Sequence, residues 1–291
     1  MKYTEVAVPF ESQSEWLLGI LTQPEIPSNI GVVIIVGGPQ YRAGSHRQFV
    51  TLARALAQTG HAVLRVDYRG MGDSSGATAD FTQVTADVSA AIDAFQLQLP
   101  IVQSVALWGL CDGASAALLY WLETRDARVS GMCLLNPWVR SETSLARTQV
   151  KHYYTQRLMQ REFWTKLVTG KVAVSALAGL VSTVRRMRQD SKPPGGASLP
   201  YQQRMRIAWT QFTGSLLLIL SDEDYTAKEF LEYVSSDPAW SAALMQPNLI
   251  RHDVKGADHT FSNLQHSRFV ETFTKNWLKS LSHKEVPGSA S

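Results

Sequence analysis

The 291 residues are enough for one large domain or two small ones, and a folded chain of this length buries a substantial core. A hydrophobic content of 45% with 18% charged residues excludes a disordered or fibrous protein, except in the tail from about residue 282. The formal charge is +3 and no nucleic-acid recognition motif is present, so a nucleic-acid partner is not expected. The N-terminus lacks the apolar stretch of a secretory signal, so a cytoplasmic location and two free thiols, Cys111 and Cys133, are expected.

The predicted elements alternate along the chain, after an antiparallel strand pair formed by the opening residues. Six short apolar runs are predicted strands: 31–36, 61–66, 104–108, 131–135, 215–220 and 248–252. Five segments with helical spacing are predicted helices: 48–58, 81–98, 114–123, 228–235 and 266–281. Continuous apolar runs suit strands that are covered on both faces. The sequence therefore predicts an α/β protein with a mostly parallel central sheet and helices on both faces.

One region, residues 138–208, interrupts this alternation. It contains no convincing strand, and its thirteen basic and three acidic residues give it a charge of +10, which leaves −7 for the rest of the chain. We therefore predict a core of residues 1–137 and 209–291 with an inserted helical cap, or lid, at 138–208. Within the cap, the apolar stretch 167–181 is too short for a membrane span. It either lines an acyl-binding pocket or rests on an anionic membrane surface.

The stretch Gly109-Leu110-Cys111-Asp112-Gly113 joins a predicted strand to a predicted helix. A nucleophile on such a sharp turn needs small residues two positions to either side, and Gly109 and Gly113 meet that need. The start of a helix also favours an anion, which predicts a lowered pKa for the Cys111 thiol, whereas the charge of Asp112 opposes ionisation. The alternative is that Cys111 is only a small buried residue at a tight turn.

This corner resembles the G-x-S-x-G motif of the α/β-hydrolase superfamily, with cysteine in place of serine, as also found in dienelactone hydrolases. The superfamily order of nucleophile, acid and histidine implies that the acid and the base follow later strands. His259 is the predicted base, and His252 is interpreted as structural. Asp224 matches the position of the acid, with Asp222 as its competitor.

Backbone N–H groups near this corner are the predicted donors to a substrate oxyanion. One donor is the N–H of Asp112, and the other comes from the loop after the first parallel strand, where Gly38 is preferred and Gln40 is the alternative. The loop residues Gln40, Tyr41 and Arg42 are candidates for binding the substrate. The turn that begins at Asp67 resembles the D-x-R-G-x-G-x-S turn of the superfamily, whose role is mainly structural.

The combination of GGPQYRAGSHRQF, DYRGMGDSSG, GLCDGAS, SDEDYTAKEF and GADHTFS resembles the type one hydrolases of bacterial exosortase A systems. The resemblance implies a link to envelope protein sorting and extracellular polysaccharide production, and it leaves the substrate open.

The predicted function is cleavage of an ester or thioester bond by a Cys111-His259-Asp224 triad through an acyl-enzyme. The alternatives are an acyltransferase of the same fold and a non-catalytic ligand-binding protein. No metal or cofactor is expected, because neither metal-ligand spacing nor a nucleotide-binding motif is found. The expected partner is a small-molecule or acyl-carrier substrate of anionic character, with peripheral contact to the inner membrane as a further expectation for the basic cap.

Overall fold

The computed structural model describes residues 1–38, 41–140 and 199–284. Three parts of the sequence predictions lie outside these residues: Gln40, the stretch 141–198 that forms most of the predicted cap, and the tail from residue 285. The apolar segment 167–181 belongs to that stretch. All strands and helices that were predicted for the core lie within the described residues.

Eight strands of the described residues form one sheet. They are β1 (Tyr3–Ser12), β2 (Glu15–Pro24), β3 (Ile30–Ile35), β4 (Val63–Val66), β5 (Ser104–Leu110), β6 (Val129–Leu135), β7 (Ser215–Ser221) and β8 (Leu249–Val254). Their order is β1-β2-β4-β3-β5-β6-β7-β8. The pairings β1–β2 and β2–β4 are antiparallel, and the others are parallel. The predicted mostly parallel sheet with an antiparallel pair at one edge is confirmed.

Helices cover both faces of the sheet, as predicted. Within the described residues they are α1 (Gln48–Ala57), α2 (Thr85–Gln98), α3 (Asp112–Thr124), α4 (Tyr201–Gln211), α5 (Tyr225–Ser236), α6 (Pro238–Ala243) and α7 (Leu264–Lys284). The core residues of α1 and α7 pack on one face, and those of α2 to α6 pack on the other. The active-site candidates therefore lie at the edge of a sheet with two covered faces.

The strand β3 shows why the apolar runs are continuous. Val33 and Ile35 pack in the layer of α2 to α6, whereas Val32 and Ile34 pack in the layer of α1 and α7. Successive side chains of a strand point to opposite faces, so each face needs its own apolar residues when both are covered.

Helix α4 lies where the chain returns from the predicted cap. Met205, Ala208 and Trp209 are fully buried, and the ring of Trp209 packs against Phe230 of α5 and Trp240 of α6 at centroid distances of 6.1 and 5.7 Å. Residues 201–208, assigned to the cap from the sequence, therefore form part of the layer on the sheet. The cap remains a prediction for residues 141–198.

Across the three described parts of the chain, no helix combines the length and the apolar character that a membrane crossing needs.

Candidate active site

Cys111 stands at the sharp turn between β5 and α3, where the sequence predicted it. Its backbone has φ 62° and ψ −126°, a conformation that is strained for any residue other than glycine. The turn leaves no room for side chains beside it: a Cβ added at Gly109 would lie 2.4 Å from the carbonyl carbon of Gly113, and one at Gly113 would lie 2.4 Å from the carbonyl oxygen of Ile35. The glycines at both positions therefore allow the turn that carries Cys111.

The backbone around Cys111 is held by the neighbouring strand. The N–H of Cys111 donates to the carbonyl oxygen of Leu135 at 2.9 Å, and the N–H of Trp138 donates to the carbonyl oxygen of Cys111 at 3.3 Å. Cys111 is half-buried, and both it and the buried Cys133 are free thiols. The strained turn is thus fixed by β6 and by the residues that follow it.

Asp224 and His259 form a hydrogen-bonded pair beyond the ends of β7 and β8. Nδ1 of His259 lies 2.8 Å from Oδ2 of Asp224. The Asp224 carboxylate is buried and also accepts from the N–H groups of Thr226 and Ala227, so it caps α5. Since a carboxylate only accepts, this contact favours the tautomer with the proton on Nδ1, in which the lone pair of Nε2 can act as a base.

The competing residues have other partners. Asp222 accepts the N–H of Gly256 at 2.5 Å, in agreement with its expected role as a loop-binding residue. The ring of His252 stacks on Phe273 at a centroid distance of 3.8 Å, which agrees with its structural interpretation. Among the candidate acids, the structure therefore pairs Asp224 with His259.

The Asp224–His259 pair is not hydrogen-bonded to the thiol. Within the described residues, no hydrogen bond joins Cys111 to His259. Burial is the main cause that raises the pKa of the Cys111 thiol to about 12, with further contributions from the charges of Asp112 and Asp224. A backbone N–H of Asp112 and the charge of Arg140 act in the opposite direction. The expected lowering by the helix start is therefore outweighed, and the thiol is neutral near pH 7.

One of the two predicted oxyanion donors, the N–H of Gly38, is bonded to a carboxylate. The N–H of Gly38 donates to Oδ1 of Asp112 at 2.5 Å, and the backbone N–H groups of Gly113 and of Asp112 itself act to lower the pKa of this carboxyl group. A Cβ added at Gly37 would lie 2.4 Å from the same oxygen. Burial raises the pKa of Asp112. The Gly38 N–H is thus not free for a substrate in this conformation, which corrects the simple oxyanion hole expected from the sequence.

Arg42, a candidate substrate-binding residue of the same loop, has partners within the protein. The backbone N–H of Arg42 donates to Asp67 at 2.6 Å, and its guanidinium group pairs with Asp67 and Asp73. Tyr41 is half exposed, and its ring lies beside the Arg42 guanidinium at 5.6 Å. The prediction that Arg42 binds substrate is therefore corrected: Asp67, at the start of the D-x-R-G-x-G-x-S turn, uses Arg42 to anchor the loop.

Asn136, directly after β6, was not identified from the sequence. It is fully buried, and its amide donates to Oγ of Ser221 at 2.7 Å and to the carbonyl oxygen of His259 at 3.1 Å. Its Oδ1 accepts the N–H of Ser221 at 2.9 Å. One side chain thus ties the end of β7 to the His259 loop. A polar residue ending the apolar run GMCLLN was the only available signal.

We predict that Asn136→Ala lowers the free energy of unfolding by about 2–4 kcal/mol, because three buried groups lose their partner. Urea denaturation measures the loss. Asn248→Ala is the matched control, since the Asn248 amide also bridges two backbone carbonyls, those of Phe212 and Gly214, but in a partly exposed position away from His259. The control should lose less stability, and equal losses would contradict the special role of Asn136.

In the described ranges, no three His, Cys, Asp or Glu side chains are grouped so that they could hold a metal ion.

The comparisons with known proteins agree on the fold. The family model described as serine aminopeptidase, S33, matches residues 27–208. The human protein ABHD12B is 33% identical over 116 residues, which cover 38% of this chain and 31% of the relative. The chain thus spans about a third of the length of that curated relative.

Two solved structures are similar over nearly their whole length. The Pyrococcus furiosus esterase Pf2001 has a TM-score of 0.62 at 15% identity, with 96% of this chain and 91% of that chain covered. Dienelactone hydrolase from Anabaena variabilis has a TM-score of 0.59 at 15% identity, with 96% and 99% covered. At these identities the likeness concerns the fold, and the predicted α/β-hydrolase fold is confirmed.

Proposed function

Because the chain belongs to the serine aminopeptidase S33 family of α/β-hydrolases, we propose that it is a hydrolase of ester or thioester bonds that uses Cys111 as its nucleophile. The proposal is supported above all by the hydrogen bond of 2.8 Å between His259 and Asp224 at the same sheet edge as Cys111. Where the family description names serine, this chain has cysteine at the strained turn. A thiol is a better nucleophile than a hydroxyl group, and the same base can activate it.

The proposed reaction proceeds in two halves. Nε2 of His259 takes the proton of the Cys111 thiol while the sulfur attacks the carbonyl carbon of the substrate. The tetrahedral intermediate collapses to a thioester on Cys111, and the leaving alcohol or thiol receives the proton from His259. Water then gives a proton to His259 and attacks the thioester. Collapse of the second tetrahedral intermediate releases the carboxylic acid, and the departing sulfur takes the proton back from His259, which restores the thiol. Asp224 stabilises the imidazolium in both halves.

The Asp112 carboxylate has to leave the Gly38 N–H during this reaction. In its present place it occupies the donors that an oxyanion needs, and its charge opposes formation of the thiolate. We propose that the substrate carbonyl oxygen displaces it. This single movement exposes the N–H groups of Gly38 and Asp112 and carries a negative charge away from the sulfur. The thiol would therefore be activated when substrate is present and stay neutral otherwise.

Asp112→Asn is expected to speed alkylation of Cys111 by iodoacetamide at pH 8 by about tenfold. Removal of the neighbouring negative charge lowers the pKa of the thiol, so a larger fraction is thiolate at that pH. Peptide mass analysis over time gives the rate. Asp222→Asn is the control, because Asp222 also accepts a backbone N–H at 2.5 Å but is not among the charged groups that contribute most to the pKa of Cys111. An Asp112→Asn rate equal to that of the control would contradict the proposal.

A panel of activated esters and thioesters tests the function itself, with identification of the products. We expect the free acid to form faster with the protein than in buffer alone. It should remain the main product when alcohols or sugars are added. Acyl transfer to an added acceptor would instead indicate the alternative function, an acyltransferase. No reaction with any member of the panel would favour the non-catalytic ligand-binding alternative.

The cellular role is proposed from sequence resemblance alone, as part of an exosortase A system. For residues 141–198 we retain the proposal of a basic helical lid over the site, which contacts an acyl chain or, as the alternative, an anionic membrane surface.

A further inference from the structure

Arg140 lies on the segment that follows β6 and is hydrogen-bonded to the backbone of Cys111. This segment is attached to the corner at two points: the N–H of Trp138 donates to the carbonyl oxygen of Cys111 at 3.3 Å, and Oγ of Ser115 donates to the carbonyl oxygen of Trp138 at 2.7 Å. Arg140 follows Trp138 by two residues, so its backbone is within about 7 Å of Trp138. The segment that carries Arg140 is therefore attached to the backbone of the nucleophile.

Three contacts fix the Arg140 side chain and its backbone. Nε donates to Glu229 at 3.0 Å, the guanidinium carbon lies 4.2 Å from the ring centre of Trp138, and the hydroxyl group of Tyr201 donates to the Arg140 carbonyl oxygen at 2.7 Å. Glu229 is buried, whereas the Arg140 side chain is 31% exposed. Buried ion pairs contribute little net stability, so stability alone does not explain this arrangement.

Part of the Arg140 guanidinium group has no acceptor among the described residues. Within the described part of the chain, Nη1 and Nη2 of Arg140 have no hydrogen-bond partner, although Nε is engaged. These two nitrogens carry four N–H donors in a plane, which is the geometry that binds a carboxylate through two parallel hydrogen bonds. The positive charge also reaches the thiol, since it acts to lower the pKa of Cys111 against the effect of burial.

We propose that Arg140 is a binding residue for a carboxylate on the substrate, located within a few bonds of the carbon that Cys111 attacks. The inference rests on the proposed function and adds the substrate class. A carboxylate suits the site better than a phosphate dianion, because Glu229 already balances the charge of Arg140 and Asp112 and Asp224 lie near the sulfur. A single negative charge on the substrate therefore meets less repulsion than two.

Two alkylating reagents of nearly equal size test the proposal without requiring turnover. Iodoacetate carries a carboxylate and iodoacetamide is neutral, so the ratio of their reaction rates at Cys111 reports on a cation that binds the carboxylate. We expect Arg140→Gln to lower this ratio by about tenfold or more, and Arg140→Lys to lower it less because a lysine keeps the charge without the planar fork. Peptide mass analysis of the full chain at pH 9 gives both rates, and the fully buried Cys133, which should react with neither reagent while the chain is folded, reports any unfolding.

Arg251→Gln is the control for the loss of one positive charge, since Arg251 lies on β8 and pairs with Asp253. It should leave the ratio unchanged. Because Arg140→Gln removes the ion pair between Arg140 and the buried Glu229, the double variant with Glu229→Gln is measured as well, and the same fall in the ratio is expected. Unchanged ratios in both variants would overturn the role of Arg140.

The outcomes also separate this inference from the proposed function. A ratio that depends on Arg140, in a protein that hydrolyses no ester or thioester, would leave the carboxylate site intact and reject the hydrolase. Turnover that depends on Cys111, with a ratio that ignores Arg140, would do the reverse. A Cys111 that reacts with neither reagent, although the unfolded chain reacts with both, would overturn both.

Discussion

Replacement of Cys111 by alanine is expected to lower kcat/KM for a turned-over ester by at least about 10³-fold, because no other group can form the acyl intermediate. The measurement is hydrolysis of the best substrate of the panel. The substitution should leave folding intact, since alanine fits the same turn and keeps the hydrogen bonds of the backbone at position 111 to Leu135 and Trp138.

Cys133→Ala is the matched control, because Cys133 is fully buried in β6 and packs in the layer of α1 and α7. It should change stability without removing activity. If Cys111→Ala kept activity within tenfold of the native chain, the nucleophile would have been assigned to the wrong residue.

Asp224→Asn should produce the second large effect, a fall in kcat of about 10³- to 10⁴-fold. An amide can donate to Nδ1 of His259, which places the proton on Nε2 and removes the base. The same substitution retains an oxygen that can accept from Thr226 or Ala227 at the start of α5, so the expected loss of stability is about 1 kcal/mol or less.

Asp237→Asn separates the two roles of such a residue. Asp237 caps α6 by accepting the N–H of Ala239 at 2.9 Å and has no part in the proposed reaction. Urea denaturation and steady-state kinetics on both variants should show similar changes in stability and a loss of activity for Asp224→Asn alone. Equal activities would contradict the orienting role of Asp224.

The sheet could be predicted because its physical causes are local in the sequence. Runs such as GVVIIV are continuous since both faces of β3 are covered, and the turn at Cys111 is marked by glycines where side chains would collide. The end of the cap was harder to predict. Arg204 and Arg206 lie on α4 beside the buried Met205 and Trp209. These two arginines made the segment resemble the basic cap, although the helix packs on the sheet.

The rest of the site depends on contacts between distant residues. The choice of Asp224 followed from its place after β7, but the position of the Asp112 carboxylate depends on a loop that lies 74 residues earlier. The prediction that Arg42 binds substrate failed because its actual partner, Asp67, lies 25 residues further on and the sequence does not show the contact. Asn136 acts through a contact that spans 123 residues to His259.

The pKa of the Cys111 thiol shows how magnitudes decide between opposing effects. A helix start stabilises the charged form of a group by about 0.3–1 kcal/mol, whereas burial destabilises that form by several kcal/mol. The sequence indicates the helix start, but burial appears only in the fold. The raised pKa favours the neutral thiol, so its contribution to stability is present below the ordinary value near 9 and is lost as the pH rises towards 12.

The most direct measurement is the mass of the native chain, quenched in acid during turnover of an activated ester or thioester and then mapped by peptide analysis. One added acyl group is expected on the peptide that contains Cys111, and it should be lost again as substrate is exhausted. Rapid turnover with an acyl group on a different residue, or with none at any time, would contradict this prediction.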